Sequence, residues 1–216
     1  MASAALRLHS GRKNAPQIHA SHRVAAHLAE IARSGLSLLA VLDRPNTELF
    51  EELAVPLFDS LFNFAQWLTH NREEAEDLVQ ETYAKALRSF SGFQLGTNFR
   101  AWTFRILRNT FLTSRTGLKS AAVSDDEVET IASTAPDPET VLLERAAREM
   151  VRQALTELPV PFREILLLCE VEEMSYEEIA QVLTIPIGTV MSRLYRARKA
   201  LRALMVERSK GAPHGV

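Results

Sequence analysis

The stretch Ser175–Arg202, SYEEIAQVLTIPIGTVMSRLYRARKALR, decides the architecture. Ser175 with Glu178 three residues later is an S-x-x-E capping box, in which each side chain accepts from the other residue's backbone N–H at a helix start. The short helix it opens is expected to bury Ile179, Ala180 and Leu183. After a tight connection at Thr184–Ile187, a longer basic helix is predicted from Gly188 to Met205. Val190, Leu194, Ala197, Leu201 and Leu204 form its inward stripe. Ser192, Tyr195, Arg196 and Lys199 lie opposite, with Met191 and Arg202 at the edge. A short helix, a turn and a longer basic helix make the helix-turn-helix pattern. Its outer groups suit a major groove: guanidinium donates twice to guanine, a hydroxyl serves base or phosphate, and tyrosine packs on thymine methyls or stacks. Arg193 and Arg198 flank the stripe and are expected to meet phosphates. Many helical hairpins share this outline, so the stretch alone leaves a purely structural hairpin open.

Around that hairpin the chain reads as all-α, in two small helical domains. Its 216 residues are 46% hydrophobic, enough for two modest cores. Leu, Ala, Glu and Arg dominate while only 3 Tyr and 8 Gly occur, a helical composition rather than that of a sandwich or barrel. A single cysteine excludes a disulfide framework and fits a reducing, cytoplasmic compartment. No apolar run approaches the ~20 residues of a membrane helix, so no membrane insertion is expected. Residues 1–46 form an extension, partly disordered, with one helix near Val24–Leu42. Their composition is transit-peptide-like, but the apolar segment Leu36–Leu42 lies far from Met1 and no cleavage pattern follows.

The first domain is expected over 47–116. Thr47 caps a short helix to Leu53, and Pro56 restarts the chain into an apolar helix ending at Thr69, with Leu57, Leu61, Phe64 and Leu68 on one face. Asn71 with Glu74 caps the next helix, whose inner side reads Leu78, Val79, Thr82, Tyr83, Ala86 and Leu87. Ser89–Thr97 is a loop, and a third helix spans Asn98–Ser114. A polar, acidic linker is expected over 117–137. Asp137–Pro138–Glu139 restarts the chain into a second domain over 138–206, with helices at 138–157, 160–171, 176–183 and 187–206 and a tail at 207–216.

Charge is distributed unevenly. Residues 117–143 carry six acids and one base, while Asn98–Arg115 and Gly188–Arg202 carry bases and no acid. Two basic helices joined by an acidic segment suit two contacts with a polyanion, or two ordinary solvated faces. On the first basic helix Trp102, Arg105, Asn109 and Thr113 share a face. An aromatic and an amide among guanidinium groups suit stacking on, and hydrogen bonding to, an unpaired base. Trp102 equally fits a half-buried core aromatic.

Three segments then become recognisable together. Ala75–Glu76–Asp77–Leu78–Val79–Gln80–Glu81–Thr82, then Phe99–Arg100–Ala101–Trp102 with Arg105 and Asn109, then Gly188–Thr189–Val190–Met191–Ser192–Arg193–Leu194–Tyr195–Arg196–Ala197–Arg198 resemble the extracytoplasmic-function (ECF) sigma factors of bacterial RNA polymerase. The resemblance covers about Leu49 to Met205. It implies a sigma-2 domain, a sigma-4 domain, and a function in core polymerase binding, promoter recognition, promoter melting and transcription initiation. Asp77, Leu78, Gln80 and Glu81 match the family's site for the β′ clamp helices, and the β flap is a further polymerase partner. An anionic helix there complements a basic partner. Trp102, Arg105, Asn109 and Thr113 fall at the −10 element, and Thr189, Met191, Ser192, Arg193, Tyr195, Arg196 and Lys199 at the −35 element. An anti-sigma factor is a further candidate partner.

Departures from the family pattern are informative. Met191 stands where many relatives carry Arg or Lys, and Thr113 where some carry Asn. Arg105 and Ile106 occupy the places of the paired aromatics with which primary sigma factors open DNA, implying narrower promoter choice and dependence on a strong −35 element. Residues 116–137 span roughly 70 Å when extended at ~3.3 Å each, about two turns of DNA. The family's linker enters the polymerase cleft, where Asp125–Glu129 would mimic nucleic acid; a plain tether is the alternative.

A free-standing helix-turn-helix regulator is the competing function, but it leaves the Asp77–Glu81 helix and the Trp102–Asn109 face unexplained. A decoy that only binds an anti-sigma factor would usually carry a receiver domain, and no βα alternation is present. No enzyme activity, cofactor or metal is expected: His9, His19, His22 and His27 lack Cys or carboxylate partners, and Cys169 reads as core.

Overall fold

The computed structural model describes residues 44–117 and 149–211, and every regular element among them is helical. The 1–43 part of the extension, the linker beyond Gly117 and residues 138–148 of the second domain lie outside the described residues. The chain divides into two compact units.

In the first unit α1 spans Arg44–Ala54. It begins three residues before the expected cap at Thr47, because Pro45 occupies the first turn, where a missing N–H costs nothing. Pro56 lies in a 3₁₀ turn, Val55–Leu57, and α2 follows over Phe58–Thr69. α2 ends as His70 turns left-handed (φ 59°), its N–H donating to the Gln66 carbonyl at 2.9 Å. Asn71 then caps α3 (Arg72–Ser89), its side-chain oxygen accepting from the Glu74 N–H at 2.9 Å. Asn98 does the same for α4 (Phe99–Gly117), accepting from the Ala101 N–H at 2.9 Å. α4 therefore starts one residue after the cap and continues three residues past Ser114.

The core corrects several expectations. Leu61, Phe64 and Leu68 are buried, but Leu57, in the 3₁₀ turn, is only half-buried. On α3 the inner face gains Ala75, and Leu87 is half-buried. Ser89–Thr97 is not wholly a loop: Ser89 ends α3 and Phe90–Gly92 is a 3₁₀ turn. Phe90 is buried and meets Phe50 edge-to-face at 5.3 Å between ring centres. Phe50 in turn stands edge-on to Phe99 (5.9 Å) and Tyr83 (6.4 Å). These T-shaped pairs add about 0.5–1.5 kcal/mol each beyond area burial. The Tyr83 hydroxyl donates to the Ala54 carbonyl at 2.9 Å, and burial, with Asp59 nearby, pushes its pKa well up. Gly96 takes φ +87°, which only glycine adopts without strain.

In the second unit residues 149–157 are helical (α5). α6 spans Val160–Leu166 and continues as a π-helical turn, Leu167–Val171, where a plain helix to 171 was expected. Pro159 supplies no N–H to the last carbonyls of α5. Arg163, buried, supplies donors instead: Nε to Leu155 O (2.9 Å) and Nη2 to Thr156 O and to Leu158 O (3.1 Å). A cation at a helix C-terminus also complements the helix dipole. Burial holds the Arg163 guanidinium below its ordinary pKa.

α7 (Tyr176–Leu183) opens on the expected capping box: Ser175 Oγ accepts from Glu178 N at 3.2 Å, and Ser175 N donates to Glu178 Oε2 at 2.7 Å. It buries Ile179, Val182 and Leu183, while Ala180 is half-buried. Thr184 turns left-handed, and α8 runs over Ile187–Gly211, past the expected end at 206 and into the expected tail. Arg208 explains the extra length, bridging to Glu157 and Gln153 of α5.

Phe50→Ala removes the ring shared by three aromatic pairs. It is expected to destabilise the first unit by about 3–5 kcal/mol, read as a lower midpoint in chemical denaturation followed by circular dichroism.

Candidate nucleic-acid interface

The candidate surfaces are the outer sides of helices whose inner sides are apolar. On α3, Glu73, Asp77, Gln80 and Glu81 share one ridge, with Glu73, Asp77 and Glu81 exposed and Gln80 half-buried. Leu78 does not join them. It is 6% exposed and packs in the core, so its expected place on a polymerase-binding surface is corrected. Of the neighbouring acids, Glu76 pairs with Arg72 (3.1 Å), Glu81 with Lys85 (2.8 Å) and Glu74 with Arg115 (3.2 Å). Glu73 and Asp77 have no cationic partner among the described residues.

On α4, Arg105, Asn109 and Thr113 are exposed and Trp102 is half-buried. The Trp102 ring leans on Phe93 (5.0 Å) and Phe99 (5.5 Å), so one edge serves the core and the other remains open. Opposite lie buried Phe99, Phe104, Leu107 and Phe111, while Ile106 is half-buried. Arg100 lies over the Phe104 ring, and Arg115 over Phe111. Arg105 and Asn109 make no side-chain hydrogen bond among the described residues, so their donors point to solvent.

On α8 the expected stripe is buried at Val190, Leu194, Ala197 and Leu201, with Leu204 half-buried. Met191, Ser192, Tyr195, Arg196, Lys199 and Arg202 are exposed, and Thr189 is half-buried. Arg196 is laid along the helix, its Nε donating to the Ser192 carbonyl at 3.3 Å.

The two flanking arginines are committed elsewhere. Arg193 lies 3.7 Å from the buried carboxylate of Glu164. Arg198 donates twice to Glu170 Oε1, at 2.6 and 3.0 Å, and its Nη2 reaches Cys169 Sγ at 3.5 Å. Both arginines, expected at phosphates, thus also make ion pairs inside the unit, and Cys169 is half-buried rather than core. Burial works against the Arg198 charge, but its hydrogen bonds to Glu170 and Tyr176 more than offset it and hold its pKa above the ordinary value. Glu164 and Glu170 carried no signal in the sequence beyond being acids in the apolar run Glu164–Val171.

Residues 57–120 match the family described as Sigma-70 region 2, and residues 148–201 match Sigma-70, region 4. The chain is 36% identical over 162 residues to the ECF RNA polymerase sigma factor EcfG of Rhodopseudomonas palustris, across 74% of this chain and 87% of that protein. It belongs to the ECF sigma factors. Against the ECF sigma factor SigE of Mycolicibacterium smegmatis it is 34% identical over 74% of its own length, and spans 63% of that longer relative. The fold is similar to the sigma factor RpoE of Bartonella quintana, solved with the anti-sigma factor NepR: TM-score 0.58 and 28% identity, over 72% of this chain and 97% of that one. CnrH, solved with the cytosolic domain of CnrY, shares the fold at 24% identity and TM-score 0.53. As in the sequence reading, the ECF sigma factor resemblance runs through both helical units in order.

Arg198→Ala leaves the Glu170 carboxylate buried without its cation. It is expected to destabilise the second unit by roughly 2–3 kcal/mol, measured by urea denaturation, with part of the loss recovered when Glu170→Leu is added.

Proposed function

We propose that this ECF sigma factor joins core RNA polymerase through the α3 ridge and reads promoter DNA through α4 and α8. What carries the reading is that the exposed sides of two basic helices, one in each unit, present amide, aromatic, hydroxyl and guanidinium groups. In this reading Asp77, Gln80 and Glu81 meet the β′ clamp helices, and the second unit meets the β flap. Trp102, Arg105, Asn109 and Thr113 hold the −10 element once its bases unpair, by stacking and amide hydrogen bonds. Thr189, Met191, Ser192, Tyr195, Arg196 and Lys199 face the −35 element as duplex, with Arg193 positioning the helix from Glu164 rather than touching DNA. The segment 117–137 is the acidic linker between a polymerase- and −10-binding domain and a −35-binding domain. No catalytic residue, cofactor or metal enters the proposal. A polymerase partner places the protein in the cytoplasm, and an anti-sigma factor is a proposed third partner, as the Bartonella quintana relative's complex suggests.

Purified chain added to core polymerase on a genomic template library is expected to create new, mappable transcript starts; none would overturn the proposal. Asp77→Ala with Gln80→Ala is expected to weaken core binding on the order of fivefold, the loss of complementary charge and an amide at the docking ridge. Arg196→Ala is expected to cost about 1–3 kcal/mol of −35 recognition selectively by sequence, checked by competition between promoter and scrambled duplexes.

A further inference from the structure

Besides its cations, the exposed side of α8 carries an apolar row whose target bases the −35 reading leaves unspecified. Ile187, Met191 and Tyr195 are 43%, 55% and 70% exposed. They stand at i, i+4 and i+8, a single apolar row along the first ~12 Å of the helix. Large apolar side chains cost little singly on a surface, but a contiguous row marks a contact. Charge identifies the occupant: Arg196, Lys199 and Arg202 are exposed beside the row, and no acid occurs from Ile187 to Val206. A polyanion fits this surroundings better than an apolar protein helix does.

Resting on the proposed promoter-binding role, we propose that this row reads thymine methyl groups in the −35 duplex, with Met191 and Tyr195 as its specificity-determining residues. The major groove is about 12 Å wide, matching the length of the row, and the first turns of a recognition helix are the ones that reach base edges. Thymine is the base that offers an apolar group there, its 5-methyl. Over any other edge, Met191 would strip water from a donor or acceptor and return no hydrogen bond. The ion pairs strengthen the case. With Arg193 held by Glu164 and Arg198 by Glu170, the remaining exposed cations are Arg196 and Lys199, which lie further round the helix, and Arg202, about two turns beyond Tyr195. Met191 and Tyr195 are ~6 Å apart along the axis, close to two base steps of 3.4 Å, so their thymines fall within two steps of each other.

The test uses the full chain assembled with core polymerase. Selection from duplex promoters randomised upstream of the −10 element is expected to enrich thymine at one or two neighbouring positions. Replacing each enriched thymine by deoxyuridine removes the methyl and leaves every hydrogen-bonding group in place. Binding is expected to fall about fourfold per methyl, the value of one buried carbon. Met191→Ala is expected to abolish that difference at one position and Tyr195→Ala at the other, both being surface substitutions that leave folding intact. Met191→Lys is expected to move the preference at its position to guanine. Equal binding of thymine and uracil duplexes at every selected position would overturn the proposal while leaving promoter binding standing. So would Met191→Ala and Tyr195→Ala variants that keep the wild-type preference, the result expected if the row serves a protein partner. Enrichment of no upstream sequence at all would overturn both this proposal and the promoter-binding role.

Discussion

Glu170 is buried in the π-helical turn, and its carboxylate is tolerable there because Arg198 meets it twice. Glu164 and Arg193 repeat the arrangement on the other flank of the inward stripe of α8. An apolar stripe lets a helix roll by a fraction of a turn at small cost. Two charged struts, one on each side, do not, because rolling would pull a buried carboxylate from its cation. The direction in which Tyr195, Lys199 and Arg196 point is therefore set by ionic chemistry as much as by packing. The π-helical turn contributes by placing Glu170 where an uninterrupted helix would not.

The first unit reaches the same end by other means. Here rings do the orienting: Phe50 touches Tyr83, Phe90 and Phe99, and Phe104 packs on Phe64. The hydroxyls that α4 does bury are satisfied. Thr103 donates to the Phe99 carbonyl at 2.8 Å, and Thr110 accepts from Lys85 at 3.2 Å. With polar groups on its inner side closed off, α4 leaves Arg105 and Asn109 facing water. One unit is oriented by aromatic geometry, which salt barely touches, and the other partly by charge pairs buried enough to escape most screening.

Local chemistry was legible in the sequence, and long-range chemistry was not. The Ser175–Glu178 capping box, the Asn71 cap, the α8 stripe up to Leu201 and the exposure of Arg105, Asn109, Thr113, Ser192, Tyr195, Arg196 and Lys199 follow from spacing within a few residues, and they stand as read. Leu78 misled because a motif match reports which residues recur, not which way each points; helical periodicity had already placed it inside. Phe90 sits in a Ser/Gly-rich stretch that reads as loop, and the rings that draw it in include Phe50, forty residues earlier, beside Phe93 and Phe99. The Glu170–Arg198 pair joins residues 28 apart with no pattern to announce it. α8 outruns its apolar repeat because Arg208 finds partners on α5, a fact that no window along α8 contains. α1 starts at Arg44, ahead of the Thr47 cap, because Pro45 suits the first turn of a helix.

Arg163 shows what such a junction demands of its sequence. Three carbonyls diverge at the end of α5, and a flat, forked cation reaches all of them from one stem. Lysine, with a compact ammonium on a flexible chain, presents no such fork. The elbow before the helix-turn-helix is thus specified by the shape of a single functional group. A one-letter change between the two basic residues, harmless over most of a protein surface, would here undo a joint.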